Sequence, residues 1–313
     1  MLNSSARRVA LTGVCLAAVI GVAGLTGACG VRPTAAVGEP VIIPQATTTS
    51  ASSTQPQPSP EPPPAENPAN QPPAGGSIQL NPQPLVAAAT EIEPNTTLGA
   101  VVYDRVAGTE LLAVEPDRQF RSASLVKLMI AIDALRSGAA SRKQIARMLS
   151  LSDDKIASEL WVQDGGPRIV KRTAELIGLQ ATEPPEADIP GKWGEVRVTA
   201  HDMVRVYQYV MDGMAPEDHT LIVDALAQAP EYAADDFRQY FGIPDGLNAQ
   251  WAIKQGWGNN DHTMVLHSTG LVGAKWRYVV VLLTEHPIGS GWSTSAKSVT
   301  AAAAALNLQL GSV

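Results

Sequence analysis

No aromatic residue occurs before Tyr103, and fourteen of the 24 prolines lie between Pro33 and Pro84. A stretch built of Pro, Ser, Thr, Ala and Gln cannot bury enough apolar surface to offset the entropy of ordering its backbone. Any packed core must therefore come from about Leu85 onward, and residues 85–313 are numerous enough to build one. Residues 30–84 read as a disordered linker held extended by its prolines. At about 3 Å per residue it reaches on the order of 150 Å. It is either a spacer whose reach matters or a solvated tether with no required length.

The amino end reads as an export signal: Arg7-Arg8, an apolar stretch from Val9 to Leu25, then Thr26-Gly27-Ala28-Cys29. Small residues before a cysteine at such a place resemble the bacterial lipobox, with Thr26 a less usual choice than Leu or Val. Residues 1–29 are therefore expected to be a lipoprotein signal peptide. Cys29 would carry the lipid, placing the protein on the extracytoplasmic face of the cell membrane. The alternative is an uncleaved membrane anchor, since the run nearly spans a bilayer. With Cys15 removed and Cys29 lipidated, the folded part has no thiol, which excludes cysteine catalysis and Cys-ligated metal. A formal net charge of -7 and no basic tract beyond Arg7-Arg8 argue against a nucleic-acid partner.

Within residues 85–313, Gly99–Tyr103 and Leu111–Val114 flank a turn at Asp104–Thr109, a hairpin pattern. Helical patterns follow at Arg142–Leu149, Ile156–Trp161, Ile169–Ile177 and Ala200–Met211. Strand patterns return at Gln250–Gln255, Thr263–Leu271 and Arg277–Thr284, and an Ala-rich helix at Ser295–Leu306 closes the chain. Two strands, a helical middle, three strands and a last helix give an α+β fold: a mixed five-stranded sheet flanked by helices, plus a helical lobe.

Chemistry concentrates at Ser124-Leu125-Val126-Lys127, at the head of the apolar run Leu128–Leu135. Ser and Lys three residues apart share one face of a helical turn, where an amine can take the proton of a nucleophilic hydroxyl. Burial in an apolar helix would favour the neutral, basic amine. The plainer alternative is a core helix with a serine near its N-cap and a snorkelling lysine. Ser152-Asp153-Asp154-Lys155 repeats the spacing with an acidic interior.

Three motifs in order, Ser124-x-x-Lys127, Ser152-Asp153-Asp154 and Lys254-Gln255-Gly256, resemble those of the penicillin-recognising serine hydrolases, the class A beta-lactamases and D-alanyl-D-alanine peptidases. The stretches Trp161–Gly166, Phe241–Gly246 and Lys254–Trp257 also resemble alanine-rich mycobacterial lipoproteins of the LppW type. The resemblance implies Ser124 as nucleophile, Lys127 as base, Ser152 as proton shuttle and Lys254 as a positive field that keeps Lys127 neutral. Asp154, Gln255, Gly256 and Trp257 would contact the substrate. Amides of Ser124 and of the strand near Trp257 would form an oxyanion hole. Peptidoglycan stem peptides or beta-lactams would be the partners, and no cofactor is implied.

Two residues depart from that pattern. Asp154 stands where the family has an amide donor; a carboxylate accepts but cannot donate, and it favours the charged form of Lys127. Gln255 replaces a hydroxyl with a longer side chain at the strand edge. The loop Thr182–Pro190 lacks the family's Glu-Pro-Glu-Leu-Asn order, leaving Glu183, then Glu186, as the candidate carboxylate for deacylation, or else a solvated acidic loop. The five histidines show no metal-ligand spacing, so no metal is expected. Two functions remain open: a slow or impaired serine acyl-transferase of the cell wall, and a catalytically degenerate module binding peptidoglycan or an envelope partner.

Overall fold

A computed structural model describes residues 79–185 and 192–310. The expected signal peptide with Cys29, nearly all of the expected linker, and Glu186 lie outside the described residues.

The central sheet has five strands in the order β2-β1-β7-β6-β5. They are β1 (Thr97–Asp104), β2 (Thr109–Val114), β5 (Trp251–Asn259), β6 (Thr263–Val272) and β7 (Tyr278–Pro287). Two strands of two residues, β3 (Phe120–Arg121) and β4 (Arg197–Val198), pair apart from it. The five expected strands are present, but the sheet is not mixed: every pairing is antiparallel. Each neighbour is reached by a short turn, except β7 on β1, which closes the sheet by running back against it; a parallel pair would need a long crossover.

Helices cover both faces. On one side lie α2 (Lys127–Ser137), α3 (Arg142–Ser150), α4 (Asp154–Gln163), α5 (Pro167–Ile177), α6 (Ala200–Gln208) and α7 (Pro216–Ala227); on the other lie α1 (Gln83–Ile92), α8 (Ile243–Gly246) and α9 (Gly291–Leu310). Alternate residues of β7 serve the two cores, Val279, Val281 and Leu283 under the helical lobe, Val280 and Leu282 under α9. Burial on both faces explains why its sequence is a continuous apolar run rather than an alternation.

The sequence pattern missed α1 and α7. Helix α1 falls at the boundary drawn at Leu85, and the fold already takes in buried Leu80, whose amide bonds Leu111 O. Helix α7 carries the signals that would have found it, Pro216 at its start and Glu217 and Asp218 in its first turn. Helix α2 is buried from Lys127 to Ala134, as its all-round apolar sequence requires, and stops at Gly138, whose φ of 70° suits glycine.

Candidate active site

Ser124 sits in a 3-10 turn, Ala123–Val126, that leads into α2. The turn is clamped from three directions. Ser122 N donates to Val196 O (2.7 Å), His267 Nε2 donates to Arg121 O (2.7 Å), and β5 presses on it through Gly256. A Cβ at Gly256 would stand 2.9 Å from Ser122 O and 3.2 Å from Leu125 Cγ, so only glycine permits this approach. Ala123 is held at φ 44°. That left-handed backbone is costly for a residue with a Cβ and is typical of constrained sites.

Lys127, the first residue of α2, projects back along the helix onto that turn. Its Nζ lies 2.9 Å from Ser124 Oγ, 2.6 Å from Ser152 O, 3.1 Å from Ser152 Oγ and 2.5 Å from Asp154 Oδ1. Ser152 also adopts a left-handed backbone, φ 52°, which turns both its carbonyl and its hydroxyl toward Lys127. Asp153 then caps α4, accepting from the amides of Lys155 and Ile156 while Arg147 holds its other oxygen at 2.8 Å. That cap sets the direction of Asp154, whose side chain is 62% exposed at the mouth of the site.

Lys254 reaches in from β5 and donates to Ser152 Oγ and Gln255 O, both at 2.9 Å. Ser152 Oγ thus bridges two amines brought together from 127 positions apart in the chain. Ser124 is 4% exposed, Lys127 not at all and Lys254 1%.

Burial drives the Lys127 amine below its ordinary range, and the contact with Asp154 offsets this only in part. The expected influence of Asp154 is therefore present but is outweighed by desolvation. Lys254 is pushed down further, by full burial and then by the charge of Lys127, with the more distant carboxylates of Asp154 and Asp235 opposing. Among the described residues Lys254 contacts no carboxylate. The mutual repulsion of the two amines therefore adds to burial in lowering Lys254.

A tetrahedral nitrogen has three positions left after its Cε. In neutral Lys127, two hydrogens can serve Ser152 O and Asp154 Oδ1, which only accept, and the lone pair remains for the hydroxyl hydrogen of Ser124. The arrangement can therefore hold a base beside a nucleophile even with Asp154 in place.

The other predicted residues divide. Gln255 is fully buried on the opposite side of β5 from Lys254, its Nε2 donating to Gln239 O (2.9 Å) and Phe241 O (2.7 Å). It braces the chain before α8 and does not crowd the cleft, because successive strand residues alternate faces. Trp257 is half-buried, 5.9 Å from Lys254 Nζ at ring centre, and stacks on Phe237 at 4.7 Å. Glu183 is exposed; its backbone bridges Arg197, and among the described residues no hydrogen bond joins its carboxylate to Ser124 or Lys127.

Sequence reading missed Trp193. It lies in a short 3-10 turn, Lys192–Glu195, with its ring 4.7 Å from Lys127 Nζ and its Nε1 donating to Ser158 Oγ at 3.1 Å. It walls Lys127 from solvent on that side. A lone tryptophan in a polar loop gave no signal of this. Asp235, which accepts from Trp257 Nε1 at 3.1 Å, was missed for the same reason.

No family model matches the chain. It is 34% identical over 239 residues, 71% of this chain and 75% of theirs, to the LppW proteins of Mycobacterium tuberculosis and Mycobacterium bovis, lipoproteins by name. Among solved structures it resembles PBP-A (TM-score 0.58, 16% identity, 75% of this chain and 99% of that one). It also resembles a class A beta-lactamase from Mycobacterium abscessus (TM-score 0.56, 15% identity, 72% of this chain and 99% of that one). With a five-stranded antiparallel sheet between helical layers and this extent of sequence likeness, the chain belongs to the LppW family, on the fold of the beta-lactamase-like superfamily.

Proposed function

We propose that the chain is a lipid-anchored envelope protein whose folded domain is a serine acyl-transferase of slow or impaired turnover. The observation that carries this reading is the 2.9 Å contact of Lys127 Nζ with Ser124 Oγ in a site where burial favours the neutral amine. Ser124 Oγ attacks the carbonyl carbon of a beta-lactam or D-alanyl peptide while its proton passes to Lys127 Nζ. When the carbonyl re-forms, the C–N bond breaks. The departing nitrogen takes a proton through Ser152 Oγ, which both amines contact. Ser124 keeps the acyl group as an ester. Amides of Ser124 and of β5 near Trp257 serve as the oxyanion hole, and Gly256, Trp257 and Asp154 border the substrate. That no hydrogen bond joins the Glu183 carboxylate to the site among the described residues supports slow release of that ester.

Anchoring through Cys29, the extracytoplasmic location and the division into signal peptide, spacer and domain belong to the same reading. The lipoprotein name borne by the relatives supports it. Stem peptides or beta-lactams are the proposed partners; a mutant of PBP-A has been captured as an acyl-enzyme with penicillin G, which makes that compound the natural probe.

The near-complete closure of Ser124 and the turning away of Gln255 favour a second reading, a degenerate module that binds peptidoglycan or an envelope partner without reacting. Intact mass after incubation with penicillin G separates the two. A single adduct in the parent, absent from Ser124→Ala, supports the enzyme; no adduct at any concentration leaves the binding module.

A further inference from the structure

Away from Ser124, the face of α9 bearing Trp292, Ala296 and Ala304 lies opposite Phe237 and Tyr240, and between them runs a groove of about 650 Å³. The volume is within the range of ligand sites. At a rise of 1.5 Å per residue, α9 gives it a length of about 18 Å from Trp292 to Ala304. Its walls are preformed. A Cβ at Gly246 would stand 2.5 Å from Ala303 Cβ and 2.9 Å from Ala304 N, so α8 is seated hard on α9, and Gly242 N donates to Thr300 Oγ1 at 2.9 Å. At one end Trp292 is 38% exposed and meets Phe237 edge-on at 5.4 Å, and Phe237 in turn stacks on Trp257 at the rim of the Ser124 site.

The lining is of two kinds. Aromatic faces and alanine methyls make the floor and walls. Along the edge stand the Ser293 hydroxyl, the Lys297 ammonium, and Arg238, whose guanidinium is pinned by Asp245 (2.7 Å) and Glu231 (2.7 Å), while the Thr300 hydroxyl is taken up by Ala296 O and Gly242 N. Lys297 forms no ion pair among the described residues. An acyl chain would cover the apolar floor but desolvate the edge without replacing its hydrogen bonds. A pyranose ring presents axial C–H groups on one face and hydroxyls around its rim. It fits both linings at once: face on Trp292 and Tyr240, rim toward Arg238, Asp245 and Lys297.

The geometry points to a saccharide-binding groove, one aromatic ring away from the acylation site and able to hold a short oligosaccharide. The inference goes beyond the acyl chemistry and does not depend on it, because it concerns a different surface.

The test uses the full chain carrying Ser124→Ala, so that acylation plays no part, titrated calorimetrically with tetra-N-acetylchitotetraose. Saturable binding is expected, weakened at least tenfold by Trp292→Ala and abolished by Ala301→Trp, which fills the groove from its floor. Parallel titrations use decanoate and a proline-rich peptide. No saturable binding of the tetrasaccharide, binding unchanged in Ala301→Trp, or tighter binding of either competitor at the groove would overturn the proposal. Failure of penicillin labelling in the parent would instead bear on Ser124 alone.

Discussion

Two buried polar regions are joined through the hydrogen bond of His267 to Arg121 O, and they are wired differently. In the Ser124 site two amines share one hydroxyl, a carboxylate presses on one of them, and more acceptors surround Lys127 than it has hydrogens. In the seam behind it, the hydrogen on each histidine is assigned by its partners. Thr284 N donates to His267 Nδ1 at 3.1 Å, so His267 Nε2 must carry the hydrogen given to Arg121 O. Thr284 Oγ1 donates to Leu266 O and accepts from His286 Nε2 at 2.8 Å, leaving His286 Nδ1 to accept from Thr96 Oγ1. Burial lowers the two lysines of the site and the two histidines of the seam alike. The difference is that each histidine of the seam has one tautomer while the site has several proton arrangements, and a region that can move a proton needs more than one.

Lys127→Met should break the comparison most completely. It replaces a buried amine with an apolar chain of similar length, so stability should hold or rise while penicillin acylation falls by about 10²–10⁴-fold, followed by intact mass and by urea unfolding. A loss of stability without loss of labelling would make Lys127 a structural residue.

The seam should show itself in acid. His267 and His286 both titrate at about 4 in the fold, because burial disfavours their charged forms. An unfolded histidine titrates near 6.5. Their folded values are thus depressed, so the neutral forms stabilise the fold above pH 6.5, and that contribution is lost as pH falls from about 6.5 to about 4. The loss is up to roughly 3 kcal/mol for His267 and less for His286, whose charged form the Glu93 carboxylate favours. His267 can accept a proton only by displacing the Thr284 amide, whereas at His286 the Thr96 hydroxyl can rotate away. His267→Gln should remove most of the dependence, read from urea midpoints at pH 7 and pH 4.5.

Asp154→Asn sharpens the comparison at the site with a smaller effect. The carboxylate raises the Lys127 amine against the pull of burial, and its exposure screens that influence. Removing it should move the rising limb of the acylation–pH profile down by up to about one unit and quicken acylation up to about tenfold on that limb, with little gain above it. An unmoved limb would show that another group sets the base.

These residues also show how far the chain could be read without its fold. The hairpin, the three late strands, the closing helix and the all-round burial of α2 followed from local patterns, because period and turn chemistry are properties of neighbours in sequence. The antiparallel sheet did not follow from the same strands, since pairing direction depends on how the ends of β1 and β7 meet in space. Trp193 and Asp235 were invisible for a related reason: nothing in a polar loop records which buried amine it will face.

The i, i+3 spacing of Ser124 and Lys127 is a fact of sequence, since any helical turn starting there puts hydroxyl and amine side by side. What surrounds that pair was decided by the tertiary structure. It sealed Lys127 beneath Trp193 and brought Lys254 to the same hydroxyl. It also turned Ser152 into a left-handed backbone and swung Gln255 to the far face of β5. Each of these sets a desolvation energy or a proton's destination, and both depend on what surrounds an atom in three dimensions rather than on what precedes it in the chain.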